Sequence, residues 1–133
     1  MNQLTGIIAH IEAQTHLSLV QITVANHTLQ ALLLETPQTA AYLQVGQSAT
    51  LLFKETEILL APVPFAGNIS VPNQLPAVVK SIEQGKLLSR VWVDFAGNRL
   101  SALVLTSVLQ QMPLAPEQAV VLLIKANEIM FAT

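Results

Sequence analysis

The chain of 133 residues contains no cysteine, which excludes thiol nucleophiles, disulfides and thiolate metal sites. Charge is also scarce. Charged side chains are 11% of the residues, and with only six Lys plus Arg and a net charge of −2 the chain lacks the basic footprint that draws proteins to nucleic acid or anionic lipid. One Trp, one Tyr and four Phe are too few and too scattered for a base-stacking surface. No apolar run approaches the roughly 20 residues needed to span a bilayer. The start, Met1-Asn2-Gln3-Leu4-Thr5, has no basic segment of an export signal. A cytoplasmic protein with neither nucleic acid nor membrane as partner is expected.

Apolar residues, by contrast, are abundant. They make up 52% of the chain, and with so little charge one copy would struggle to cover its surface with polar groups. A homo-oligomer, trimer or dimer, is therefore expected.

The most informative stretch is Leu51-Leu52-Phe53-Lys54-Glu55-Thr56-Glu57-Ile58-Leu59-Leu60-Ala61, because it returns as Leu122-Leu123-Ile124-Lys125-Ala126-Asn127-Glu128-Ile129-Met130-Phe131-Ala132. Each copy is an apolar run, one lysine, a polar break and a second apolar run, the pattern of two strands joined tightly at the lysine. The offset between the lysines (125 − 54 = 71) also places Asn2-Gln3-Leu4 on Asn73-Gln74-Leu75, Val20 on Val91 and Gln47 on Gln118 without a gap. About a third of the aligned positions are identical, which marks a duplication. Residues 1–62 form the first repeat, 63–69 a linker marked by Pro64 and Gly67 just after Pro62, and 70–133 the second repeat.

Leu4 to Glu12 reads as a strand. Val20, Ile22 and Val24 alternate with Gln21 and Thr23, and Val91, Val93 and Phe95 with Trp92 and Asp94, the period of a half-buried strand. The earlier apolar phase at Leu17 and Leu19 suggests a bulge just before Val20. Asn26-His27 and Gly97-Asn98 are placed as hairpin turns, since Asn and Gly tolerate positive φ. Thr36-Pro37 and Thr106-Ser107 then predict a helix of one to two turns in each copy. The fold class expected is all-β with one short helix per repeat, as two tandem OB-like barrels.

A lone lysine where apolar strands meet forces a positive charge into defined geometry. Turn amides and lysine together suit a small dianion, provided no carboxylate intrudes. At these residues the chain resembles the Mop (molybdate-pterin-binding) domain of molbindins, of the transport-associated OB class, in a tandem di-Mop arrangement. Asn-Gln-Leu at each repeat start, the lysine joint, Glu57-Ile58-Leu59 and Glu128-Ile129-Met130 carry the likeness. The resemblance implies OB-like barrels, oligomers whose subunit interfaces enclose molybdate or tungstate, and storage, homeostasis or sensing of that oxyanion without catalysis. It also implies the site residues: Lys125, Ala126 and Asn127 as one arm, Lys54, Glu55 and Thr56 as its counterpart, and Ser70, Val71 and Asn73 as a second arm, with Ser101 a strand hydroxyl.

This chain departs from the family pattern at Pro72, where the family has Arg, which removes a charge and a bidentate donor. An oligomeric interaction or effector module with a degenerate anion site is the alternative. Glu55 follows Lys54 whereas Ala126 follows Lys125, so like-charge repulsion, with Ser70 and Ser101 counted to the second copy, favours Lys125 sites over Lys54 sites. His10, His16 and His27 have no echo in the second repeat and lack compact ligand spacing, so no metal site is assigned. No carboxylate pair is placed for acid–base work.

Overall fold

Alternating apolar residues set most of the elements, as expected for strands with one buried face. A computed structural model describes residues 1–132. It contains β1 (Asn2–Ala13), β2 (Ser18–Val24), β3 (His27–Leu33), β4 (Ser48–Phe53) and β5 (Leu59–Pro62) in the first repeat. The second repeat contains β6 (Asn73–Gln84), β7 (Leu88–Phe95), β8 (Asn98–Leu105), a helix α1 (Thr106–Gln111), β9 (Ala119–Ile124) and β10 (Met130–Ala132). A 3₁₀ turn follows each lysine, Glu55–Glu57 after β4 and Ala126–Glu128 after β9.

The strands form two five-stranded sheets, ordered β10-β4-β1-β2-β3 and β5-β9-β6-β7-β8. Each sheet takes one outer strand from the other repeat. Met130 of β10 pairs with Leu52 of β4, and Leu59 of β5 pairs with Leu123 of β9. The strands flanking each lysine therefore do not pair with each other, and the expected tight joint is a crossing rather than a hairpin. One unit comprises Met1, Gln3–Phe53 and the chain from Lys125 onward; the other comprises Asn2 and Lys54–Ile124. The repeats 1–62 and 70–133 divide the sequence, while these units divide the fold.

The first unit buries Leu4, Ile22, Leu29, Leu51 and Phe53; the second buries the equivalent Leu75, Val93, Leu100, Leu122 and Ile124. The hairpins turn one residue earlier than expected, at Ala25-Asn26 and Ala96-Gly97, all at positive φ (45°, 71°, 49° and 84°). Such two-residue loops match the twist of the strands they join. The bulges lie in β1 between Ile8 and His10 and in β6 between Val79 and Ser81, not before Val20. Ser18 and Ser89 are buried in phase with Val20 and Val91, so the strand holds one register where the apolar count suggested a slip.

The helix forms in the second repeat alone, which corrects the expectation of one per repeat. In the first, a single turn closes, the Thr36 carbonyl accepting from the Thr39 and Ala40 amides (3.0 and 2.8 Å) and the Thr36 amide donating to Thr39 Oγ1 (2.9 Å), but the bonds that follow, Leu43 N–H to the Ala40 carbonyl and Gln44 N–H to the Tyr42 carbonyl, are of shorter span and do not carry a helix on. In the second, Met112 N–H reaches the Val108 carbonyl (2.9 Å) at helical span and ends α1. Thr106 does not cap the helix with its side chain; its hydroxyl donates to the Gly85 carbonyl (2.9 Å) and accepts from Ser89 Oγ (2.8 Å). No helix among the described residues is long and apolar enough to cross a membrane.

Candidate functional site

The two lysine turns are built alike. Lys54 and Lys125 are extended (φ −78°, ψ 140° and φ −70°, ψ 149°), and each ends its 3₁₀ turn on a buried isoleucine, Ile58 or Ile129, of matching backbone (φ −94°, ψ 127° and φ −95°, ψ 125°). The turns close through Glu57 N–H to the Lys54 carbonyl (3.0 Å) and Glu128 N–H to the Lys125 carbonyl (3.1 Å). Buried Phe53 and Ile58 pin the first turn from both sides, and Ile124 and Ile129 the second, so the polar residues between them must face outward. Both lysines are exposed. The Lys54 turn packs against β8 and the Lys125 turn against β3.

In the second unit that packing assembles a polar cluster. Glu55 Oε1 receives Arg90 Nε at 3.0 Å and lies 2.9 Å from Arg90 Nη2, while Ser101 Oγ donates to Glu55 Oε2 at 3.0 Å. Ser101 is itself fixed: its amide donates to Asn2 Oδ1 and its carbonyl accepts from Asn2 Nδ2, both at 2.8 Å and buried. Arg90 Nη1 also reaches Glu83 Oε2 (3.2 Å), and Trp92 Nε1 donates to Glu83 Oε1 (2.9 Å). The Trp92 ring lies 6.0 Å from the Arg90 guanidinium and 4.0 Å from that of Arg99. The hydrogen bond from Arg90, followed by that from Ser101, holds the Glu55 carboxyl below the usual carboxylate range. Trp92 and then Arg90 do the same for Glu83, and both carboxylates raise Arg90.

The first unit has no such arrangement, because Ala126, Leu19 and Gln30 stand where the second has Glu55, Arg90 and Ser101. Ser101 is thus joined to the turn of Lys54, not that of Lys125 as expected. The reason is the crossing of the chain at each lysine, which lays each turn on the sheet named by the other repeat. Glu55, rather than standing as a bare repelling charge, is neutralised by Arg90.

Of the other expected residues, Thr56 is exposed, Ser70 is exposed, and Asn73 is fully buried in β6 opposite Ile124. Val71 buries its side chain with Ala61 and Leu123, and its carbonyl accepts from Gln74 Nε2 at 3.1 Å. Asn127 is exposed and Ala126 half-buried. A cavity of about 260 Å³ beside the Lys54 turn has Thr56 as its one polar side chain, with Ile58, Leu103, Val108 and Met112 among the rest, which does not suit an anion. Among the described residues no cluster of His, Asp or Glu could hold a metal ion. Arg90 and the role of Asn2 were missed in the sequence. The available signal was that Arg90 and Leu19 differ in concert with Glu55 and Ala126 and with Ser101 and Gln30.

Comparison with known proteins gives a match to the TOBE domain model over residues 1–60 and again over 69–131. No curated protein matches significantly. Among solved structures, the cytoplasmic molybdate-binding protein ModG, in a crystal form with molybdate bound, superposes with a TM-score of 0.90 at 21% identity, over 99% of this chain and 95% of that one. A molybdate-binding protein from Sporomusa ovata gives a TM-score of 0.48 at 30% identity over 50% of this chain and 98% of its own.

Proposed function

Because the chain belongs to the TOBE domain family, with a match in each repeat, we propose that it binds a tetrahedral dianion of the molybdate or tungstate class. The observation that carries this reading is the Lys125 turn: an exposed lysine on a rigid extended residue, pinned by buried neighbours and followed by Ala126 where the other copy has a carboxylate. The first amide this turn uses internally is that of Glu128, which leaves those of Ala126 and Asn127 ahead of its closing bond. Lysine charge with turn amides is the donor set that such an anion needs. The whole-chain likeness to ModG, described with molybdate bound, supports the same ligand class.

The role we infer is storage, homeostasis or sensing in the cytoplasm, without catalysis and without nucleic acid or membrane. Sites shared at the interfaces of a homo-oligomer, trimer or dimer, agree with the large apolar side chains left outside, Leu34 at 84% and Leu87 at 75% exposure. Ser70, Val71 and Asn73 are the residues proposed to complete such shared sites.

The test is calorimetric titration with molybdate, with sulfate and phosphate as competitors, on the wild type and on Lys125→Ala. Loss of charge-assisted bonds is expected to weaken binding by roughly 1.5 to 3 kcal/mol, about 10- to 150-fold. Unchanged affinity in a folded variant would show that the turn is only a solvated bend. A second reading, an interaction or effector module with a decayed anion site, draws on Pro72 and on the engagement of Arg90 and Ser101 by Glu55. It predicts no binding heat in the wild type.

A further inference from the structure

We propose that the second unit contains a separate oxyanion site, formed by Arg90 and Ser101 and held shut by the Glu55 carboxylate acting as an internal ligand. Three donors converge on the two oxygens of one anion: Arg90 Nε and Nη2 on Oε1, at 3.0 and 2.9 Å, and Ser101 Oγ on Oε2, at 3.0 Å. A tetrahedral oxyanion can present two oxygens in the same way, one to both guanidinium nitrogens and the other to the hydroxyl. The inference takes from the oxyanion reading above only its choice of probe.

The donors are held by contacts that do not involve Glu55. Ser101 is 4% exposed, and its backbone is clamped by Asn2 on both sides. Arg90 keeps its second carboxylate partner, Glu83 at 3.2 Å, and its place by Trp92. Removing the Glu55 carboxylate therefore leaves the fork and the hydroxyl aimed at a common point, rather than a collapsed surface. Glu83 lies on the same guanidinium and limits how tightly a second anion is held.

A tethered carboxylate competes at an effective concentration on the order of millimolar or more, without any cost of association. Free oxyanion at micromolar concentration does not displace it, so the wild-type site stays closed. The first unit has no counterpart, since Ala126, Leu19 and Gln30 replace all three groups.

Equilibrium dialysis of the full chain against molybdate, and separately against sulfate, tests the assignment. Glu55→Ala is expected to bind one more anion per chain than wild type, and Glu55→Ala with Arg90→Ala to return to the wild-type number. Glu55→Gln, which preserves shape, is expected to gain the same site with weaker affinity, and decides the matter where the alanine variant does not fold. An unchanged stoichiometry in folded Glu55→Gln and Glu55→Ala, or an added site that survives Arg90→Ala, overturns the proposal. Its failure separates from that of the Lys125 reading in the Lys125→Ala, Glu55→Ala double variant. There the added site is expected to persist whatever becomes of Lys125-dependent binding.

Discussion

Asn2 and Ser101 stand 99 positions apart, yet the Asn2 amide closes two buried hydrogen bonds of 2.8 Å on the Ser101 backbone. One side chain thereby does for β8 what a further strand residue would do, satisfying both its N–H and its C=O. Asn2→Ala leaves both groups buried without these partners. At roughly 1 to 3 kcal/mol for each of the two buried groups left unsatisfied, a loss of about 2 to 6 kcal/mol is expected in denaturant unfolding. Asn2→Asp keeps the acceptor but turns a carboxylate oxygen toward the Ser101 carbonyl, so it too is expected to destabilise. A variant with wild-type stability would mean that water replaces the side chain at no cost.

Glu55 sets an acid dependence whose sign follows from its partners. Its folded pKa lies below the ordinary carboxylate value because Arg90 and Ser101 bond its charged form. Above the unfolded value both states are ionised and the contribution is fully present. As pH falls below that value the unfolded chain takes the proton first, and the contribution is lost as pH falls through the folded pKa. Melting curves from neutral pH down through the carboxylate range are expected to converge for wild type and Glu55→Gln. A constant gap between them would show that Glu55 carries no linkage. Glu83, lowered by Trp92 and by the same Arg90, is coupled to Glu55 through that guanidinium, so Glu83→Gln and the double variant are measured beside it.

What the sequence made legible was whatever its period encodes. Val20, Ile22 and Val24 alternate because one face is buried, and the repeat of Lys54 at Lys125 announced two copies of one turn. The partner of a strand is not written in that period. Leu59 to Pro62 reads as the same strand whichever sheet receives it, so the exchange of β5 and β10 was invisible, and with it the assignment of Ser101 to the Lys54 turn. The absent first helix was a matter of propagation, since the one turn from Thr36 to Ala40 is followed by bonds of shorter span and not by a second helical turn. The ion pair of Arg90 with Glu55 crosses from one repeat to the other in the sequence, and only the concerted difference at three aligned positions hinted at it.

The single tyrosine gives a clean alkaline probe. Burial first, then the hydrogen bond that Tyr42 Oη donates to the Glu35 carboxylate and the charge of that carboxylate, push the phenol up to about 12 from 10.0. Below the unfolded value both states are protonated and the contribution is complete. Above it the unfolded chain ionises first, so stability is lost as pH rises through the folded value. The ultraviolet absorbance of tyrosinate in the folded chain is expected to rise well above the free-phenol midpoint, and Tyr42→Phe to flatten the alkaline limb of stability. A midpoint at the ordinary phenol value would contradict the burial.

The exchange of outer strands makes a prediction about the repeats taken singly. A fragment of residues 1–62 retains β1 to β4, but its sheet lacks β10, whose residues pair with Leu52, Leu51 and Thr50 of β4. It also carries β5, whose partner β9 lies in the other repeat. As a monomer it would expose the edge of β4 and leave an apolar strand, Leu59-Leu60-Ala61, with nothing to pair, which costs backbone hydrogen bonds and invites association. β5 and β10 occupy equivalent places after equivalent turns, so two fragments can satisfy each other by reciprocal exchange, each β5 taking the role of β10 on its neighbour's β4. Light scattering coupled to size exclusion is therefore expected to find an even-numbered assembly of the fragment with cooperative unfolding that depends on protein concentration. Deleting residues 59–62 from the fragment removes the exchanged strand and is expected to abolish both the assembly and the cooperative transition. A folded, concentration-independent monomer of residues 1–62 would show instead that β5 can fold back on its own β4, so that the exchange is a choice made by the linker and not a requirement of the sheet.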